Sequence, residues 1–199
     1  MQKLIGNHSE GKVFILSAPA GTGKTTLVRM LSKEFPCVVE SVSCTTREPR
    51  PNEIEGVDYH FLSKEVFEKK IASGDFLEYA NVFGYYYGTS KEFVQKQQKA
   101  GNHVFLVIDT QGALQLKNKH FPGVYIFLSP PSLEELEGRL HKRKTETVEV
   151  IEKRLSWAEK EMAMAAHYDY HIVNDSLEQA YEILRSIVIA EEHHLGRNA

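Results

Sequence analysis

Apolar positions along the chain fall into two textures. Val13 to Leu16, Val104 to Ile108 and Val124 to Leu128 are continuous apolar runs without polar alternation, the signature of strands buried on both faces. Between them, apolar residues recur at helical spacing, as at Leu27, Val28 and Leu31. That pattern predicts a helix running to about Glu34 and stopping before Pro36. Further helices are expected over Lys91 to Ala100, closed by Gly101, and over Ser132 to Leu140, capped by Ser132 with Glu134 and Glu135 in the first turn. Val148 to Ala166 and Leu177 to about Glu192 complete the helical set, and Cys37 to Val42 and His171 to Val173 complete the strands. Strands alternating with helices predict an α/β fold whose parallel sheet is covered on both faces, with ligands at the C-terminal strand ends.

The texture changes after residue 42. Residues 43–62 are rich in Thr, Arg, Pro, Glu and Gly, and a short helix is expected near Glu65–Ser73. Asp75 to Phe83 has a strand-like mix, and Gly84-Tyr85-Tyr86-Tyr87-Gly88 reads as an aromatic turn. The chain is thus expected to be one unit: core over 1–42, 91–130 and 156–199, an insertion over 43–90, and a lid region over 131–155.

Composition narrows the setting. A chain of 199 residues is long enough for a substantial core. Its net charge of −3 gives no global attraction to nucleic acid or anionic membrane. Cys37 and Cys44 fit neither a disulfide framework nor a metal pattern. The polar start, Met1 to Lys12, lacks a signal-like apolar stretch, and no run approaches the roughly 20 apolar residues of a membrane helix. The expected setting is the cytoplasm, with small molecules as partners.

The strand Val13–Leu16 leads into Ala18-Pro19-Ala20-Gly21-Thr22-Gly23, then Lys24 and Thr25 and a helix. Small residues there let backbone N–H groups converge on phosphate oxygens, and the helix N-terminus adds positive potential. Lys24 would reach the outer phosphates and the Thr25 hydroxyl would ligate Mg²⁺, so the loop names a nucleoside triphosphate. The pattern usually opens with Gly, and Ala18 stands there instead.

Three further groups carry chemistry. Arg47 and Arg50, stiffened by Pro49 and Pro51, suit a second phosphate; a solvated loop with surface ion pairs is the alternative. Glu78 and Asp109 are candidate acceptors for a donor pair such as guanine N1–H and the N2 amine. Taken alone, Glu78 also reads as an exposed strand residue, and Asp109 as a magnesium-associated acid. Arg139, Arg143 and Arg154 could stabilise charge on a transferring phosphoryl group, or decorate helix ends.

Together these residues resemble the guanylate kinases, over nearly the whole chain. The most specific stretches are VSCTTREPRPNEIEGVDYHF and GYYYGTS, joined to the phosphate loop. The resemblance implies a P-loop nucleoside monophosphate kinase fold with a GMP-binding insertion and a lid, and Mg²⁺-dependent phosphoryl transfer from ATP to GMP. It implies that residues 18–26, through Lys24, Thr25 and Thr26, hold ATP, with Arg139 and Asn174 on the same side. Arg47, Arg50, Tyr59 and Tyr87 would hold the GMP phosphate, and Ser43, Glu78, Thr89 and Asp109 would read guanine. Lys24, Arg47, Arg143 and Arg154 would serve catalysis. Besides Ala18, the chain departs from the family pattern at Asn52, where Gly is usual, and at Val107, which replaces the first acid of an Asp-x-Asp pair. Lys144 likewise follows Arg143 where Gly is common.

Overall fold

A computed structural model describes residues 3–142 and 148–195. Strand β1 (Val13–Ser17) is wholly buried and feeds helix α1 (Lys24–Glu34). There follow β2 (Val38–Glu40), β3 (Cys44–Thr45), β4 (His60–Phe61), α2 (Lys64–Ala72), β5 (Phe76–Val82), β6 (Tyr85–Ser90) and α3 (Lys91–Lys99). The second half runs β7 (His103–Ile108), α4 (Thr110–Asn118), β8 (Val124–Ser129), α5 (Leu133–Lys142), α6 (Val148–Ala163), a 3₁₀ turn at Met164–His167, β9 (Tyr170–Val173) and α7 (Leu177–Glu192).

The central sheet has the order β2-β7-β1-β8-β9, with every pairing parallel. Successive residues of β1 point to opposite faces, so each face builds its own core. Phe14 and Leu16 pack with Leu27, Val28 and Leu31 of α1 and with Leu184 and Val188 of α7. Val13 and Ile15 pack with Val94 of α3 and with Ala113 and Leu116 of α4. This is the doubly covered α/β sheet expected from the continuous apolar runs. A third, smaller cluster joins Leu136 and Leu140 of α5 to Ile151 and Ala158 of α6. Among the described residues, no helix is long and apolar enough to cross a membrane.

Residues 44–90 build a second sheet, ordered β4-β3-β6-β5, in which β6 runs antiparallel to both neighbours. Two expectations change here. The tyrosine run is not a turn: Tyr85, Tyr86 and Tyr87 lie in β6, and the reversal falls on Phe83 and Gly84 instead. Three identical residues in a row hide the period of two that marks a strand. Helix α4 was not foreseen, because Thr110-Gln111-Gly112 opens it without an apolar repeat. Its side chains carry the insertion: Gln115 Nε2 donates to the Tyr79 carbonyl at 2.7 Å, and Lys119 Nζ to that of Leu77 at 3.2 Å. The long helix also ends earlier than its pattern suggests, at Ala163.

Candidate active site

The C-terminal ends of β1 and β7 and the concave side of the second sheet face each other across a cleft of ≈ 280 Å³. On one side lies the loop after β1. Gly23 is the N-cap of α1 with φ 101°, in the left-handed region that only glycine enters readily, and no side chain caps the helix. The first turn of α1 holds no acidic residue. Its N–H groups therefore present an uncompensated positive end to the cleft. Lys24 folds onto the loop, donating to the Ala18 carbonyl at 2.6 Å. Ala18 is not among the positive-φ residues, so its methyl group costs the loop nothing in backbone strain. Asn52 takes φ 72°, keeping a turn that glycine would also make.

The loop is braced from behind. The Asn174 amide donates to the Thr22 carbonyl at 2.7 Å, Arg139 donates to the Asn174 carbonyl at 3.0 Å, and the Thr22 hydroxyl donates to the Pro19 carbonyl at 2.8 Å. Asn174 and Thr22 are buried. Among the expected triphosphate residues, Ala18, Ala20, Gly21, Gly23, Lys24, Thr25 and Thr26 line the cleft, whereas Pro19, Thr22, Arg139 and Asn174 do not. Arg143 lies outside the described residues.

The opposite wall is cationic and aromatic. Arg47 Nη2 reaches both Glu53 carboxylate oxygens, at 2.8 and 2.9 Å, and Nε donates to the Tyr87 hydroxyl at 3.3 Å. Its guanidinium lies 5.3 Å from the Tyr59 ring centre. Glu53 also accepts the Arg50 backbone N–H at 2.8 Å, so one carboxylate ties the Arg47 side chain to the Arg50 backbone. Hydrogen bonds to Glu53 and Tyr87 raise the Arg47 pKa against the opposing effect of burial. Arg47, Arg50, Tyr59, Tyr87 and Ser43 all line the cleft.

Deeper in, Glu78 is 3% exposed and accepts the Thr89 hydroxyl at 2.5 Å. Burial pushes its carboxyl up to about 7, against the pull of that hydrogen bond. Thr89 is buried behind it and does not line the cleft. Asp109, at the end of β7, caps α4 by accepting the Gly112 N–H at 2.8 Å. Burial raises it too, opposed by that N–H and by the Lys24 charge. Gly112 is where helix and carboxylate meet: a Cβ there would lie 2.3 Å from Glu78 Oε2.

Glu161, Phe83 and Trp157 are among the cleft residues that the sequence reading does not single out. Glu161 on α6 is buried, and desolvation raises it to about 7, with Lys24, Arg154 and the Thr110 N–H pulling it down and Asp109 pushing it up. Phe83 and Trp157 stand at the cleft beside Arg154. Glu161 had a signal in the sequence. Ile151, Arg154, Ala158 and Glu161 are spaced by three, four and three, which puts them on one helical face.

For Mg²⁺ the candidate oxygen donors are the Thr25 hydroxyl at the start of α1 and the carboxylates of Asp109 and Glu161, all lining the cleft, where Val107 of β7 adds no donor. Among the described residues no group of three acids, histidines or cysteines forms a metal cage.

A phosphate loop on a parallel sheet, facing an arginine-lined insertion across one cleft, is the architecture of a nucleotide phosphotransferase. A family model described as guanylate kinase matches residues 10–191. The chain is 55% identical over 192 residues to a guanylate kinase of Protochlamydia amoebophila, covering 96% of this chain and 97% of that one. It is 44% identical over 197 residues to a guanylate kinase of Clostridium perfringens, covering 99% and 91%. The crystal structure of guanylate kinase from Anaplasma phagocytophilum superposes with a TM-score of 0.78 at 34% identity, covering 94% of this chain and 89% of that one. The chain belongs to the guanylate kinase family, whose members are nucleoside monophosphate kinases.

Proposed function

We propose that this protein transfers the γ-phosphoryl group of ATP to GMP, and to dGMP, giving ADP and GDP (or dGDP), with Mg²⁺ carried on the triphosphate. The observation that carries this reading is the pairing, across one cleft, of the uncapped α1 terminus with Arg47, Arg50 and the buried Glu78–Thr89 pair. The loop and Lys24 would take the ATP phosphates, and Lys24 would leave the loop carbonyls to do so. Arg47, Arg50, Tyr59 and Tyr87 would grip the GMP phosphate, with Glu53 orienting the Arg47 guanidinium and bracing the Arg50 backbone. Glu78, with Ser43, Thr89 and Asp109 around it, would accept the guanine N1–H and N2 amine.

In the transfer, an oxygen of the GMP phosphate forms the new bond to the γ-phosphorus as the bond to the β,γ-bridging oxygen breaks. That acceptor oxygen is already anionic, so no side-chain base is needed. Bound on the triphosphate, Mg²⁺ would neutralise charge on the β- and γ-oxygens, with Thr25 as its ligand from the chain. Lys24 and Arg154, with Arg139 and Arg143 from the lid side, would stabilise the charge that develops on the transferring group. Residues 43–90 would act as the GMP domain and 131–155 as the lid. Asn174 supports the ATP side through the loop it braces.

Cytoplasmic action fits the two free thiols, Cys37 and Cys44. The test is a coupled ADP-release assay with GMP, dGMP, AMP, UMP and ribose phosphates, with and without Mg²⁺. Turnover should require Mg²⁺ and favour the guanine nucleotides. Equal rates with AMP would overturn the assigned acceptor.

A further inference from the structure

The reversal between β5 and β6 breaks a local rule. Its two loop residues, Phe83 and Gly84, have φ of 53° and 90°, as a two-residue hairpin turn of the primed type demands. The Gly84 N–H is donated to Asn81 Oδ1 at 3.1 Å. Asn or Asp usually fills the first loop position, because a short polar side chain tolerates the left-handed region. A phenylalanine there is strained, and at 49% exposure its ring gains little from burial in return. Rule-breaking of this kind concentrates at functional positions.

The Phe83 ring touches α6. Its centre lies 5.8 Å from that of Trp157, tilted by 56°, and 5.7 Å from the Arg154 guanidinium carbon. All three residues line the cleft. We infer that Phe83 is a positioning residue: its ring holds the Arg154 guanidinium in the cleft and ties the placement of that arginine to the acceptor-side hairpin. This rests on the reading of Arg154 as serving the transferring phosphoryl group.

A ring is well suited to that task. An aromatic face attracts a guanidinium without neutralising it and without taking up its N–H donors. A carboxylate in the same place would do both, as Glu53 does for Arg47. The hairpin also carries Glu78 on β5 and Tyr87 on β6. Any movement of the second sheet would therefore reach Arg154 through the Phe83 ring, against which Trp157 of the same helix also packs.

The experiment uses Phe83→Asn, Phe83→Tyr and Arg154→Met in the full chain. Phe83→Asn suits the turn, so its Tm should hold or rise, while kcat falls about five- to tenfold with KM for GMP little changed. Phe83→Tyr keeps a ring face and should keep kcat. On an Arg154→Met background, Phe83→Asn should cause no further loss. Trp157 is the only tryptophan of the chain, so its emission reads the contact directly. Without ligand, Phe83→Asn should shift that emission relative to the parent, and Phe83→Tyr should shift it less. Unchanged kcat in Phe83→Asn, or an equal loss on both backgrounds, would overturn the positioning role. Near-normal kcat in Arg154→Met would overturn the role of Arg154 itself, and this one with it.

Discussion

The Thr89 hydroxyl donates to the Glu78 carboxylate at 2.5 Å, and both residues are buried in the wall of the cleft. The bond orients the carboxylate and favours its charged form, but burial outweighs it and raises the pKa from 4.5 to about 7. Guanine donors need the ionised form. The kcat/KM for GMP should therefore fall as pH drops below about 7, and Glu78→Gln should abolish that inflection. The GMP phosphate titrates in both enzymes, so the difference between the two profiles isolates Glu78.

The buried Glu161 makes a prediction about stability. Its folded-state value, about 7, lies above the ordinary 4.5. Between these values the folded protein keeps a proton that the unfolded chain has released, so stability falls as pH rises through that window. In the ligand-free protein, Glu161→Gln should raise Tm above pH 7, and the gain should shrink toward zero near pH 4.5. Thermal unfolding across that range checks it; a pH-independent change in Tm would mean that the carboxylate is not carrying a desolvation cost.

The place of the candidate site was easier to read than how its groups are held. The phosphate loop was legible because Gly21, Gly23, Lys24 and Thr25 must sit at fixed spacing for backbone geometry to work. Arg47 and Arg50 were legible because charge and proline cluster together. Glu161 was harder to see: in Glu159-Lys160-Glu161 it looks like one of several solvated charges, and the helical spacing it shares with Ile151 and Ala158 is the faint signal that marks its face. Phe83 was hidden for a related reason, since the contact that explains it is 74 residues away, on Trp157. Asn174 is expected on the ATP side, and its side chain holds the phosphate loop there by a bond that no sequence pattern shows.

That bond separates two roles for Asn174. If it acts through the loop, Asn174→Ala leaves the buried Thr22 carbonyl without its donor, at a cost of about 1–3 kcal/mol. KM should then rise by a similar factor for every nucleoside triphosphate donor. An adenine-reading residue would instead weaken ATP alone. Comparing ATP and GTP as donors at saturating GMP decides between them.

Lys24 sits against the Ala18 carbonyl at 2.6 Å, at the mouth of the uncapped helix. Its removal should spare the acceptor side, where Arg47 is organised by Glu53 and Tyr87. Lys24→Ala should lower kcat by about 10²–10³, with the Kd for GMP, measured calorimetrically, essentially unchanged. Near-normal turnover would refute the role of Lys24 on the transferring phosphate.

Gly112 offers the sharpest separation of fold from function. It lies in the first turn of α4, its N–H bonded to Asp109, and its φ is not in the positive range. By helix propensity alone, Gly112→Ala should stabilise the protein by up to about 1 kcal/mol. The new methyl group, however, would lie 2.3 Å from Glu78 Oε2, in a site without spare room. The end of a glutamate side chain can move, so the fold should survive, but the carboxylate would leave the position that Thr89 sets for it. Gly112→Ala should thus keep its Tm within a few degrees while KM for GMP rises at least tenfold and KM for ATP stays put. If GMP binding were unaffected, Glu78 would not be the group that reads the acceptor base.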